Sequence, residues 1–153
     1  MNEKARSNSS CLIALEKIGQ MDLLSKSFDA VIVPPAVQSE FGHNIDRLIV
    51  KTVQNRAVLR SLQTQIGDGE SEVIALAMEM ADVLVVLDDK KARRIAKQLQ
   101  LQVIGTGGLL LRAKRKGIVT EIKPLLDALQ DVDFRIAETL YKKALQLANE
   151  VKG

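Results

Sequence analysis

Acidic residues stand at both ends of one short stretch of this chain. Gly67-Asp68-Gly69-Glu70-Ser71-Glu72 leads into Val73, Ile74, Ala77 and Met80 at helical spacing, and Val83-Leu84-Val85-Val86-Leu87 then runs into Asp88-Asp89. The second apolar run is too short to span a membrane and suits a strand buried on both faces. In a parallel sheet a helix runs antiparallel to its strands, so the start of the helix lies beside the C-terminal end of the strand. Glu70 and Asp88 then share one rim. Carboxylates gathered there repel one another, and a divalent cation makes such a cluster both tolerable and reactive.

Glu70 precedes Val73 and Ile74 by three and four positions, which places it on the inward stripe of the helix. Glu72, offset by two, is rotated toward the rim as a secondary acid. Acids in a first turn also complement the helix dipole, and Asp88 or Asp89 can serve as an N-cap, but the dipole alone leaves the acid pair at the strand end unexplained. Gly105-Thr106-Gly107-Gly108 follows a further strand. Leu110 stands where a dinucleotide fingerprint needs its third glycine, and no Gly-Lys-Ser/Thr is present, so a phosphate loop is a poor fit. The glycines instead permit a tight turn and close packing, with Thr106 reaching the rim of the acidic site.

The elements that position these residues alternate. Leu12, Ile13, Leu15 and Ile18 predict a helix after Ser9 and Ser10 as candidate caps, ended by Gly19, and a short helix fits Met21 to Phe28. Ala30-Val31-Ile32-Val33 reads as a strand stopped by Pro34-Pro35, where a helix carrying Glu40 opens and runs to Gly42. Ile49 to Val53 predicts a short strand and Arg56 to Gln65 a helix. Beyond the acidic unit come a helix over Lys90 to Leu99, a strand over Leu101 to Ile104, and helices over Thr106 to Lys116, Lys123 to Leu129 and Ala137 to Val151. The last carries Leu140, Ala144, Leu147 and Val151 on one face. This order predicts a single α/β domain over residues 1–153, with a mostly parallel sheet whose strands near Ile32, Val85 and Val103 are buried on both faces.

Aromatic residues make up only 3% of the chain, which argues against an aromatic base-stacking platform as the main binding surface. The 22 Lys and Arg barely exceed the 19 Asp and Glu, yet they cluster. Lys90, Lys91, Arg93, Arg94 and Lys97 crowd one segment, and Arg112, Lys114, Arg115 and Lys116 another, a pattern that suits an anionic partner or a solvated helix face. Cys11 and His43 are each the only residue of their type, which excludes a disulfide framework and a thiolate or histidine zinc site. No apolar stretch is long enough for a membrane span, and no signal-peptide core follows the polar N-terminus, so a cytoplasmic location is expected.

Four segments taken in order carry a resemblance: Ser10-Cys11-Leu12-Ile13-Ala14-Leu15-Glu16-Lys17-Ile18-Gly19; Val33-Pro34-Pro35-Ala36-Val37 with Glu40; Gly69-Glu70-Ser71-Glu72 before Ile74-Ala75-Leu76-Ala77; and Leu87-Asp88-Asp89-Lys90-Lys91-Ala92-Arg93. Together they resemble the PIN domain, in the prokaryotic branch related to VapC-type toxins. The resemblance implies a three-layer α/β/α Rossmann-like fold and a Mg²⁺- or Mn²⁺-dependent endoribonuclease. Glu40, Glu70 and Asp88 match its catalytic acids, and Asn8, Glu40, Glu70, Asp88 and Asp89 form the implied metal set, with Ser10 and Thr106 at the rim. Members of the branch have an apolar strand ending in Asp before this first segment. Here Lys4-Ala5-Arg6 is a weak strand by composition, Asn8 takes the Asp position, and Cys11 takes the position of a proline.

Two readings of different class follow. In the first, Glu40, Glu70 and Asp88 hold the metal, Asn8 offers a neutral oxygen, and Lys90, Arg93, Arg94 and Lys97 hold the backbone of single-stranded RNA. An antitoxin protein and further copies of the chain are its expected partners, with no membrane. In the second, the fold and basic surface persist as a nucleic-acid-binding or protein-interaction module whose catalysis was lost with the first Asp. An acidic-pocket phosphoacceptor domain is a third possibility, which lacks a lone acceptor Asp with a partner Lys after a later strand.

Overall fold

The structure, a computed structural model, describes residues 4–7, 9–35, 48–80 and 83–150. Among them five strands, β1 (Lys4–Ser7), β2 (Ala30–Val33), β3 (Leu48–Val50), β4 (Val83–Val86) and β5 (Gln102–Ile104), form one sheet in the order β3-β2-β1-β4-β5. Every pairing is parallel. The Lys-Ala-Arg segment, weak by composition, is the middle strand: Lys4 is in register with Ala30 on one side and with Val83 on the other. A strand laddered on both edges has partners for its backbone groups whatever its side-chain propensity, and that context overrides composition.

Helices α1 (Ser9–Lys17), α2 (Asp22–Ser27), α3 (Arg56–Gln63), α4 (Asp68–Met78), α5 (Lys90–Gln98), α6 (Thr106–Arg115), α7 (Lys123–Asp131) and α8 (Glu138–Leu147) connect and cover the strands. Ser9 and Ser10, expected as caps, already lie within α1. Asn55 caps α3 by accepting a hydrogen bond from the Val58 amide at 3.1 Å, and Gly117, at φ +77°, stops α6 in the left-handed conformation that glycine adopts without strain. The helix expected to carry Glu40 lies outside the described residues.

The alternation along β4 divides the core in two. Val83, Val85 and Leu87 pack with α3, α4 and α5, while Val86 belongs with α1, α2, α6, α7 and α8, and Leu84 packs against that second cluster. Both faces of the sheet are therefore covered, as the apolar runs predicted. Val103 is an exception: β5 is an edge strand, so Gln102 is exposed and Val103 only half-buried.

Helix α8 also departs from expectation. Its buried residues are Ala144 and Leu145, continued by Ala148, while Leu140 and Leu147 are 52% and 51% exposed. Its leucine stripe faces a groove instead of the core. Two carboxylates tie distant segments: Glu79 accepts from the Gln54 and Asn55 amides, at 2.9 and 3.1 Å, and Glu150 accepts from the Ile122 and Lys123 amides, both at 2.9 Å, and from Lys114 Nζ at 3.0 Å. Burial pushes the Glu150 carboxyl up, but the two amides and the Lys114 ammonium together outweigh it and hold the group below its ordinary value.

Candidate acidic site at the C-terminal edge of the sheet

Parallel strands bring their C-terminal ends to one edge, and β4 delivers Asp88 there. Leu87, fully buried, fixes the approach by donating its amide to the Ile104 carbonyl at 2.9 Å. The half-buried Asp88 carboxylate is then gripped at two points by Thr106, the first residue of α6. The Thr106 amide donates to Oδ1 at 2.7 Å and the Thr106 hydroxyl to Oδ2 at 2.6 Å, the length of a charge-assisted hydrogen bond. Thr106 is 1% exposed, so its rotamer is set by packing. Each carboxylate oxygen accepts one hydrogen bond from Thr106 and keeps a further lone pair, which leaves Asp88 able to bind a cation in a fixed orientation.

Gly105 makes this arrangement possible. Its backbone is extended and needs no glycine for conformational reasons, but a Cβ there would lie 3.0 Å from Asp88 Oδ1 and 3.6 Å from Arg93 Nη1. Asp89, one residue on, does something different. It is the exposed N-cap of α5, and its Oδ2 accepts from the Ala92 amide at 2.9 Å. Adjacent acids thus diverge, one aimed across to α6 and the other into its own helix.

Helix α4 packs against β1, β4 and α5, which puts its acidic start on the same edge. Glu70, in its first turn, is half-buried and folds back over the cap residue: a Cβ on Gly67 would lie 2.7 Å from Glu70 Oε2. Glu72, expected at the rim, is half-buried as well, with Oε2 fully buried. The two-residue offset pointed it to the rim, and burial of an atom was not legible from that spacing. Asn8, Glu40 and the Ser10 side chain lie outside the described residues. Among those that are described, no three His, Cys, Asp or Glu gather as a metal-binding group. The described acids nonetheless supply only oxygen donors, the chemistry that suits Mg²⁺ and Mn²⁺ and disfavours softer metals.

Basic residues flank the acids. Lys90, Arg94 and Lys97 are exposed along α5, whereas Arg93 is half-buried, its guanidinium turned toward Gly105. Arg93 Nε is buried without a hydrogen-bond partner. Arg93 and Asp88 also line a groove of about 280 Å³, with Leu111, Phe134, Leu140 and Leu147 among its walls. Sequence reasoning singled out these acids and cations as candidates. It put Thr106 at the rim of the acids but gave neither its two-point grip on Asp88 nor the groove, since both join segments whose contact only the fold determines.

A family model described as a PIN domain (DUF3368) matches residues 5–150, nearly the whole chain. No curated protein and no solved structure gives a match.

Proposed function

The chain belongs to the PIN domain family, a family of nuclease-like fold, and from that premise we propose that it is a metal-dependent endoribonuclease acting on single-stranded RNA. The observation that carries the reading is Asp88: a half-buried carboxylate at a strand end, fixed by the Thr106 amide and hydroxyl, with lone pairs to spare. Glu40, Glu70 and Asp88 are the proposed metal-holding acids, with Asn8 and Asp89 contributing single oxygens and Glu72 as a flanking acid. When bound, Mg²⁺ or Mn²⁺ makes a water more acidic and offsets the charge that builds on the phosphate. The chain's own part is to hold acids and RNA in one place. Thr106 prevents the Asp88 carboxylate from rotating, and Lys90, Arg93, Arg94 and Lys97 draw in the phosphate backbone. In its finer terms the reading has a three-layer α/β/α Rossmann-like fold of VapC-toxin type, an antitoxin and further copies of the chain as partners, and a cytoplasmic setting.

Asn8, at the position of the first acid, favours a second reading, a domain that binds RNA or protein without cleaving. One experiment separates the two: Mn²⁺ titration of the wild type, Asp88→Ala and Asn8→Asp, following both melting temperature and cleavage of a labelled single-stranded RNA. Asp88→Ala should abolish the metal-induced rise in melting temperature and any cleavage. A unit charge added at about 4 Å is on the order of 4 kcal/mol at an effective dielectric near 20, before desolvation takes back much of it, so Asn8→Asp should tighten Mn²⁺ and raise cleavage together. Tighter metal without cleavage supports the binding module. A wild type indifferent to Mn²⁺ refutes the metal site.

A further inference from the structure

Gly107 has no structural reason to be glycine. It lies in the first turn of α6, its φ is not positive, and a Cβ built on it meets nothing within 4 Å. Its neighbour Gly108 differs, because a Cβ there would press on Ile104 at 3.2 Å where the helix crosses the strand. A Cβ at Gly107 would project into open space, so the fold tolerates an alanine there and the methyl would narrow only what lies beside it. The space in question is the groove beside Asp88, which Gly107 lines.

The groove's chemistry is mixed in one direction. Arg93 and Asp88 stand at the end nearest the acidic site, Phe134, Leu140 and Leu147 give apolar walls, and Arg135 and Lys143 add two more cations. Its volume of about 280 Å³ falls just under the usual range for small-molecule pockets, which starts at about 300 Å³, so it suits a single compact group. Arg93, with its buried Nε unpartnered, borders this groove and also the basic depression formed with Lys90, Arg94 and Lys97. A phosphate placed on Arg93 would therefore sit between a cationic track and an apolar slot.

We infer that this groove is a nucleobase subsite. Resting on the ribonuclease reading above, it takes the base of a nucleotide flanking the scissile phosphate, while Arg93 binds that nucleotide's phosphate. The base lies against the apolar walls over Gly107, where a Cβ would intrude, and the site is sequence-tolerant because contact is with a base face and not with its edge.

The test compares two probes in EDTA, so that strand scission does not interfere: a fluorescent mixed-sequence 12-nucleotide RNA and an abasic ribose-phosphate oligomer of the same length. The wild type should bind the RNA at least about fivefold tighter than the abasic oligomer, the lower limit of a single base-stacking contact. Gly107→Ala should keep or raise the melting temperature, yet erase that preference while leaving abasic binding unchanged. Leu140→Ser, at a half-exposed wall where folding is not at risk, should reduce the preference in the same sense. Arg94→Gln should weaken both probes alike. Equal binding of both probes by the wild type, or a preference that survives Gly107→Ala and Leu140→Ser, overturns the subsite. So does an acidic, leucine-bearing helical peptide that binds the wild type, loses affinity in Leu140→Ser, and leaves RNA binding unchanged when added in excess. If neither oligomer binds, the RNA reading itself fails and the subsite with it.

Discussion

Removing the Thr106 hydroxyl tests whether Asp88 is held as the geometry indicates. Thr106→Val keeps the side-chain volume and the amide bond to Oδ1, and deletes only the 2.6 Å bond to Oδ2. A hydrogen bond to a charged group is worth about 1.5–3 kcal/mol. Asp88 is half-exposed, so water recovers part of this, and a loss of about 1.5 kcal/mol is expected. For a domain of this size that is a fall in melting temperature of roughly 3–6 °C. Thr106→Ser loses one buried methyl, a comparable loss of about 1 kcal/mol, so melting alone does not separate hydroxyl from packing. Two further measurements do. Thr106→Ser should retain the Mn²⁺-induced stabilisation while Thr106→Val loses most of it, and a double-mutant cycle of Thr106→Val with Asp88→Asn should be non-additive by about 1 kcal/mol. Strict additivity, or equal Mn²⁺ responses in the Ser and Val variants, would refute the claim that the hydroxyl orients the carboxylate.

Neutralising Arg93, Arg94 and Lys97 together to Gln should flatten the dependence of log affinity for single-stranded RNA on log salt by about 2, the share of three phosphate contacts, and an unchanged slope would return these residues to a solvated helix face. Glu150→Gln should lower the melting temperature at pH 7 by roughly 4–8 °C, since about 2 kcal/mol of charge-assisted bonding to Ile122, Lys123 and Lys114 is lost. Because folding depresses the Glu150 carboxyl, its contribution is complete above the unfolded value of about 4.3 and disappears as pH falls through the folded value, so wild type and variant should converge in acid; a gap that persists there would assign the loss to shape and not to charge.

What the sequence revealed depended on range. Rules of spacing within one element located the acids at the start of α4 and the end of β4, because the order helix then strand fixes which ends meet in a parallel sheet. Spacing failed where a second element decides the outcome. The two-residue offset suggested that Glu72 turns toward the rim, whereas its Oε2 is buried. The stripe of Leu140 and Leu147 was legible as apolar, yet Ala144, Leu145 and Ala148 face the core, since small residues let α8 approach α6 closely. Asp88 and Thr106 are separated by a whole helix and strand; the strand ends brought Thr106 to the acidic rim, but the bond itself and the room that Gly105 leaves for the carboxylate show only in the fold. Composition misjudged β1, where the two flanking ladders supply what Lys-Ala-Arg does not.

The central place of that strand also shapes how the molecule assembles. Four residues, Lys4–Ser7, join β2 and β3 on one side to β4 and β5 on the other, so the sheet separates into two pieces if this segment lets go. Closing β1 onto β4 spans a roughly threefold longer loop than closing it onto β2, an added entropic cost of about 1 kcal/mol. Loop entropy alone therefore favours pairing with β2 before pairing with β4, the step that completes the edge where Asp88 sits. A chain caught before it would hold half a sheet with an open flank, a species prone to strand exchange and without an acidic site.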